Sequence, residues 1–185
     1  MKLNKLNIGT ESLSQIDFRP YMIECAYDYY MVAKTASHQR MGLQSVLSVL
    51  SIEILFKSFN ALAVDNIGQP NETYIFDRNS LPKKSDPHDL ITLYHSLPDD
   101  IAKFLVSENE LEILHKYRSS FKSSRYTYEP SANKSHRDDI IKLTAKLLCY
   151  VVLLYKQQGC KDSFIQYFDV EELYFKDVQK FLGVY

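Results

Sequence analysis

Residues Arg40 to Asn66 read RMGLQSVLSVLSIEILFKSFNALAVDN, and the reading of this stretch decides the fold. Its apolar residues recur at helical spacing. Leu43, Leu47, Leu50, Ile54 and Ala61 or Leu62 make one face, and Val46, Val49, Phe56, Phe59 and Ala63 widen it into a band. A helix apolar over so much of its circumference belongs at the centre of a bundle. Glu53, Lys57 and Asn60 are spaced four and three apart and therefore share a side. Glu ahead of Lys at i,i+4 is the favourable order.

Upstream, Pro20 suits the first turn of a helix reaching about Ser37. Its apolar members are Tyr21, Met22, Cys25, Ala26, Tyr29, Val32, Ala33 and Ala36, with Tyr27 and Tyr30 beside them. The short turn His38-Gln39-Arg40 predicts antiparallel pairing with the central helix. Downstream, Gly68, Pro70 and Asn71 open a connection that runs to Ser85, a length typical of functional or mobile loops. Glu72 to Phe76 reads as a short extended piece with no evident strand to pair with.

Asp86-Pro87-His88-Asp89 reads as a helix start, with Asp86 as cap, Pro87 in the first position and Asp89 closing a capping box. Pro98 ends that short helix and opens another turn through Leu105. Ser107 with Glu110 signals a further helix, predicted to reach Glu129-Pro130. Ser135 with Asp138 repeats the signal for a helix from His136 to about Gln158, whose Ile140, Leu143, Leu147, Val151 and Leu154 share a face. Gly159 is its expected terminator. An aromatic segment, Phe164, Tyr167 and Phe168, precedes a terminal helix opened by Asp169, which either caps the bundle or makes a subunit contact. The expected fold is all-α: an up-and-down bundle of four to five main helices, with a long loop after the second and a short C-terminal helical appendage.

Composition sets the outer limits. The chain has 185 residues and 45% apolar content, enough for one domain with a sizeable core. That core is expected over residues 20–158, with an extension over 160–185. Five glycines and six prolines favour long helices over many short strands. A net charge of -1 gives no global pull toward nucleic acid but permits a local basic patch. Cys25, Cys149 and Cys160 have neither metal nor disulfide spacing and read as inert thiols. No signal peptide is expected, and the most apolar run, Ile140 to Tyr155, is interrupted by Lys142 and Lys146 and too short to span a bilayer. The expected compartment is the cytoplasm, with no membrane partner.

Chemistry concentrates on the helix after Ser107. His115, Arg118, Lys122 and Arg125 recur at three, four and three residues, and Arg118 and Arg125 also fall on the stripe of Leu114, Phe121 and Tyr128. A guanidinium near a core needs acceptors. Glu53, Asp89 and Glu129 are the candidates. Three readings follow: a structural ion pair at a bundle seam, a phosphate-contacting strip for RNA, or a solvated face. His88 either anchors its loop by a hydrogen bond or acts as an acid or base. No HExxH, phosphate-cradling glycine loop or nucleophile triad is present, so neither cofactor nor metal is expected.

Several features together resemble the HEPN superfamily of small helical domains. They are the two opening amphipathic helices, Glu53-Ile-Leu-Phe-Lys57 in the second, the loop followed by His88-Asp89-Leu90, and Phe121 to Glu129 before the final core helix. The resemblance implies a bundle that dimerises. It further implies either an RNase of a toxin-antitoxin or defence system or a non-catalytic RNA- or protein-binding module or scaffold. Nuclease members carry an Arg followed a few residues later by His. Arg125 takes the Arg place, but residues 130 to 132 are Pro, Ser and Ala, and His136 comes only after ten intervening residues. In an RNase, Arg125 and Arg118 would steady phosphate charge and His136 would take the 2′-hydroxyl proton. The missing spacing favours binding without turnover, with RNase activity and a purely structural adaptor as alternatives.

Overall fold

The computed structural model describes residues 9, 12–35, 41–118, 120 and 138–179. These residues are mostly helical, with one small sheet of two strands, so the all-α expectation holds at the level of class. The order is α1 (Pro20–Thr35), α2 (Met41–Ser58), β1 (Ala61–Asp65), β2 (Thr73–Phe76), α3 (Leu90–Tyr94), α4 (Asp99–Leu105), α5 (Glu108–Tyr117), α6 (Asp139–Gln157), α7 (Ser163–Tyr167) and α8 (Val170–Leu173). A π-helical turn, Tyr174–Val178, follows α8.

α6 is the apolar axis. Ile140, Leu143, Leu147, Val151 and Leu154 are buried as expected, and Leu148, Val152 and Tyr155 are buried with them. Each fully buried side chain of this size contributes about 1.5–3 kcal/mol. Gly159 ends the helix region at φ 88°, the left-handed conformation that suits glycine.

α1 and α2 pack differently from expectation. Ile23, Ala26, Tyr30 and Ala33 are the buried residues of α1, while Tyr29 and Val32 face outward. On α2 the buried face is Ser45, Ser48, Val49, Ile52, Leu55 and Phe56. The stripe of Leu43, Leu47, Leu50 and Ile54 is only half-buried or exposed. Small residues meet at this contact: the Ser51 hydroxyl donates to the Ala26 carbonyl at 2.6 Å, and both residues are buried.

Two further expectations are corrected. The central helix does not run to Asn66; it stops at Ser58, and the chain turns through Phe59 and Asn60 into a strand. The Asn60 side-chain amide donates to the Ser96 carbonyl and hydroxyl, both at 3.1 Å, pinning the turn. Glu72 to Phe76 does have a partner, namely β1. The strands pair antiparallel with Ala61 opposite Phe76, Leu62 opposite Ile75 and Ala63 opposite Tyr74. Ladder hydrogen bonds between distant segments outweigh the helical spacing of Ala61 to Ala63. Arg19 holds the hairpin down, its Nε donating to the Ala61 carbonyl at 2.8 Å.

The helix predicted from Asp86 begins at Leu90, with Asp89 as its N-cap; Asp86 instead accepts the His88 backbone N–H at 3.0 Å. The capping box of Ser107 and Glu110 is present, with Pro98 preceding α4. The described part of α5 ends at Tyr117. The turn at residues 38–40, the continuation toward Glu129 and the Ser135 cap lie outside the described residues.

Candidate functional site

Five polar residues from two helices and the turn entering a third meet beside the hairpin. Glu53 and Lys57 stand one turn apart on α2. His88 and Asp89 lie in the turn entering α3, and Arg118 closes α5.

The Glu53 carboxylate is buried, with a side-chain exposure of 5%. Its Oε1 receives Lys57 Nζ at 2.7 Å and faces His88 Nδ1 at 2.9 Å, the contact of a ring carrying its proton on that nitrogen. Oε2 is buried with no hydrogen-bond partner among the described residues. The Lys57 ammonium also sits 5.4 Å from the centre of the Phe76 ring, which ties α2 to β2.

Asp89 does three things at once. It caps α3 through the Ile91 N–H, accepts the Thr92 hydroxyl at 2.8 Å, and receives Arg118 in a fork. Arg118 Nε lies 3.0 Å from one carboxylate oxygen and Nη2 2.7 Å from the other. The backbone closes the same junction, because Leu90 N–H donates to the Arg118 carbonyl at 3.3 Å. Burial pushes the Asp89 carboxyl upward, but the Arg118 guanidinium, the Thr92 hydroxyl and the Ile91 amide outweigh it and hold the group below its ordinary range. The same bonds raise Arg118 above its ordinary value.

The sequence named all the members of this cluster as polar candidates except Thr92, and it paired them only in part. Of the three acceptors proposed for Arg118, Asp89 takes it and Glu53 does not; Glu53 serves Lys57 and His88. His88 does anchor its loop by a hydrogen bond, as one of its two readings has it. Of the basic strip, His115 is exposed and Arg118 is half-exposed. Lys122, Arg125 and His136 lie outside the described residues, as does Glu129.

Two anchors escaped sequence reading. The Tyr155 hydroxyl accepts the Arg19 N–H at 3.2 Å from a fully buried position, and burial pushes its phenol to about 12. Asp177, also buried, accepts the Tyr30 hydroxyl at 2.7 Å and pairs with Lys34. Each contact joins segments more than a hundred residues apart. A long-range pair of this kind leaves no local pattern.

Among the described residues, no group of three or more His, Cys, Asp or Glu side chains is placed to hold a metal ion, and no helix is long and apolar enough to cross a membrane. The class defined by fold and site is thus a mostly helical domain with charge-paired polar residues where α2, α3 and α5 converge. No family model, curated protein or solved structure matched the chain.

Proposed function

We propose that this chain is an RNA-binding module of the HEPN-like kind, working as a homodimer and without turnover. Its setting is a defence or toxin-antitoxin system in the cytoplasm. The observation that carries the reading is the presentation of Arg118. Asp89 orients its guanidinium through two bonds, yet the side chain keeps 49% of its surface. A cation held in this way offers a phosphate a fixed geometry at little ordering cost. His115, exposed on the preceding turn, extends the surface. Lys122 and Arg125 continue the same sequence spacing.

Dimerisation draws support from α2. Its stripe of Leu43, Leu47, Leu50 and Ile54 retains accessible surface although the opposite face is already buried. A helix apolar all round needs cover on both sides. A second copy of this chain is the occupant that the HEPN resemblance implies.

The test is a salt titration of binding to single-stranded RNA. Affinity is expected to fall steeply as salt rises. The paired variant Asp89→Asn with Arg118→Gln keeps hydrogen-bonding groups but removes the charge. It should weaken binding and flatten the salt dependence by about one phosphate contact. Absence of any binding at low salt would overturn the proposal. Cleavage of the RNA, lost in His136→Ala, would replace it with the RNase reading through Arg125 and His136.

A further inference from the structure

A cleft of about 680 Å³ opens between α1, the loop before β2 and the segment around α7 and α8. It shares no residue with the cluster around Glu53 and Arg118. Its size falls within the range of small-molecule sites.

One wall is aromatic. The Tyr27 ring lies 5.8 Å from Phe164 and 5.1 Å from Phe168, and those two rings lie 5.5 Å apart. Tyr167 projects at the rim with 90% of its surface exposed. A tyrosine so exposed has no packing role.

The remaining lining is charged and unbalanced: five carboxylates face two lysines. Lys34 is taken up by Asp177, and Lys176 lies 3.9 Å from Glu172. Glu24 and Asp162 pair with no cation among the described residues; Asp169 makes no direct ion pair, although the Lys156 ammonium, held by the Gln166 and Phe168 carbonyls, acts on it through space. Asp162 and Asp169 accept backbone N–H groups of Ile165 and Glu172 as helix caps, which leaves their charge in place. The Tyr27 phenol is raised by burial and then by Glu172, Asp177 and Asp28, as a negative field requires.

This combination selects a ligand class. Phosphates and other anions are repelled. The carboxylates are spread over separate segments, and no three of them among the described residues are grouped to hold a metal ion. Ring faces attract ammonium groups and also cover methylene chains. Carboxylates pair with each ammonium through charge-assisted bonds. We propose that the cleft binds a linear aliphatic polyamine, its amines held by Glu24, Asp162 and Asp169 and its stem lying against Tyr27, Phe168 and Tyr167.

The probe is spermidine, titrated into the full chain at low salt and followed by calorimetry and by tyrosine emission, which the absence of tryptophan leaves unmasked. Saturable one-site binding is expected. Tyr167→Ala and Glu24→Gln alter exposed side chains, so their melting curves should match the wild type. Each is expected to weaken spermidine about two- to fivefold. Failure to saturate in the millimolar range would overturn the proposal. So would an isotherm unchanged in both variants, or equal displacement by magnesium, since either would reduce the effect to diffuse charge.

Discussion

Arg118 grips Asp89 through two bonds, Nε at 3.0 Å and Nη2 at 2.7 Å, across 29 residues of sequence. That clamp sets where α5 meets α3, and it gives one fixed partner to a charge for which the sequence offers three acceptors.

Arg118→Ala should lower stability by about 1–3 kcal/mol, because Asp89 stays largely buried and loses its charged donor. Half the Arg118 surface is in water, and screening there holds the loss toward the lower figure. Urea denaturation measures it. Asp89→Asn combined with Arg118→Gln should recover part of the loss; a double variant no better than the single one would contradict the clamp.

The pH dependence of this pair has a definite sign. The Asp89 carboxyl is held below its ordinary 3.8 in the folded chain. Its contribution is therefore fully present above that value and is lost as pH falls through the lower folded pKa. Melting temperature should decline below about pH 4. In Arg118→Met the decline over that window should be shallower, and equal slopes in the two proteins would argue against the assignment.

Tyr155→Phe removes one hydroxyl from a fully buried ring and leaves the Arg19 N–H without its acceptor. The expected cost is about 1–2 kcal/mol, or about 2–8 °C in melting temperature for a chain of this size. Thermal unfolding followed by circular dichroism tests it.

Arg19→Ala should loosen the hairpin more than the helical core. It deletes the bond to the Ala61 carbonyl and the contact of the guanidinium with the Tyr74 ring at 5.9 Å. Amide exchange should accelerate across residues 61–76 while α6 keeps its protection. Uniform acceleration throughout would show that the hairpin is not a separate unit.

The dimer reading makes its own demand. Leu47→Glu places a charge on the half-buried stripe of α2 and should yield monomers by light scattering while helical content persists. A wild type already monomeric at tens of micromolar would exclude the dimer at that concentration.

Local signals in the chain were sufficient for the helices that end in strong punctuation. Pro20, Pro98, the pair Ser107 and Glu110, and Gly159 all mark observed boundaries, since a cap or a breaker acts within one turn of backbone. The apolar face of α6 was equally legible, because large side chains at regular spacing have one way to leave water. Tertiary structure alone decided which side of α2 is buried. Serines at 45, 48 and 51 carry little hydrophobic signal, yet all three are buried: Ser51 bonds the Ala26 carbonyl of α1, and the Ser48 carbonyl accepts from Thr144 of α6. It also decided that Ala61 to Asp65 is a strand and that Glu53 serves His88 while Asp89 serves Arg118. Sheet pairing and ion pairing depend on partners far away in sequence, and spacing within one segment holds no information about the distance to another.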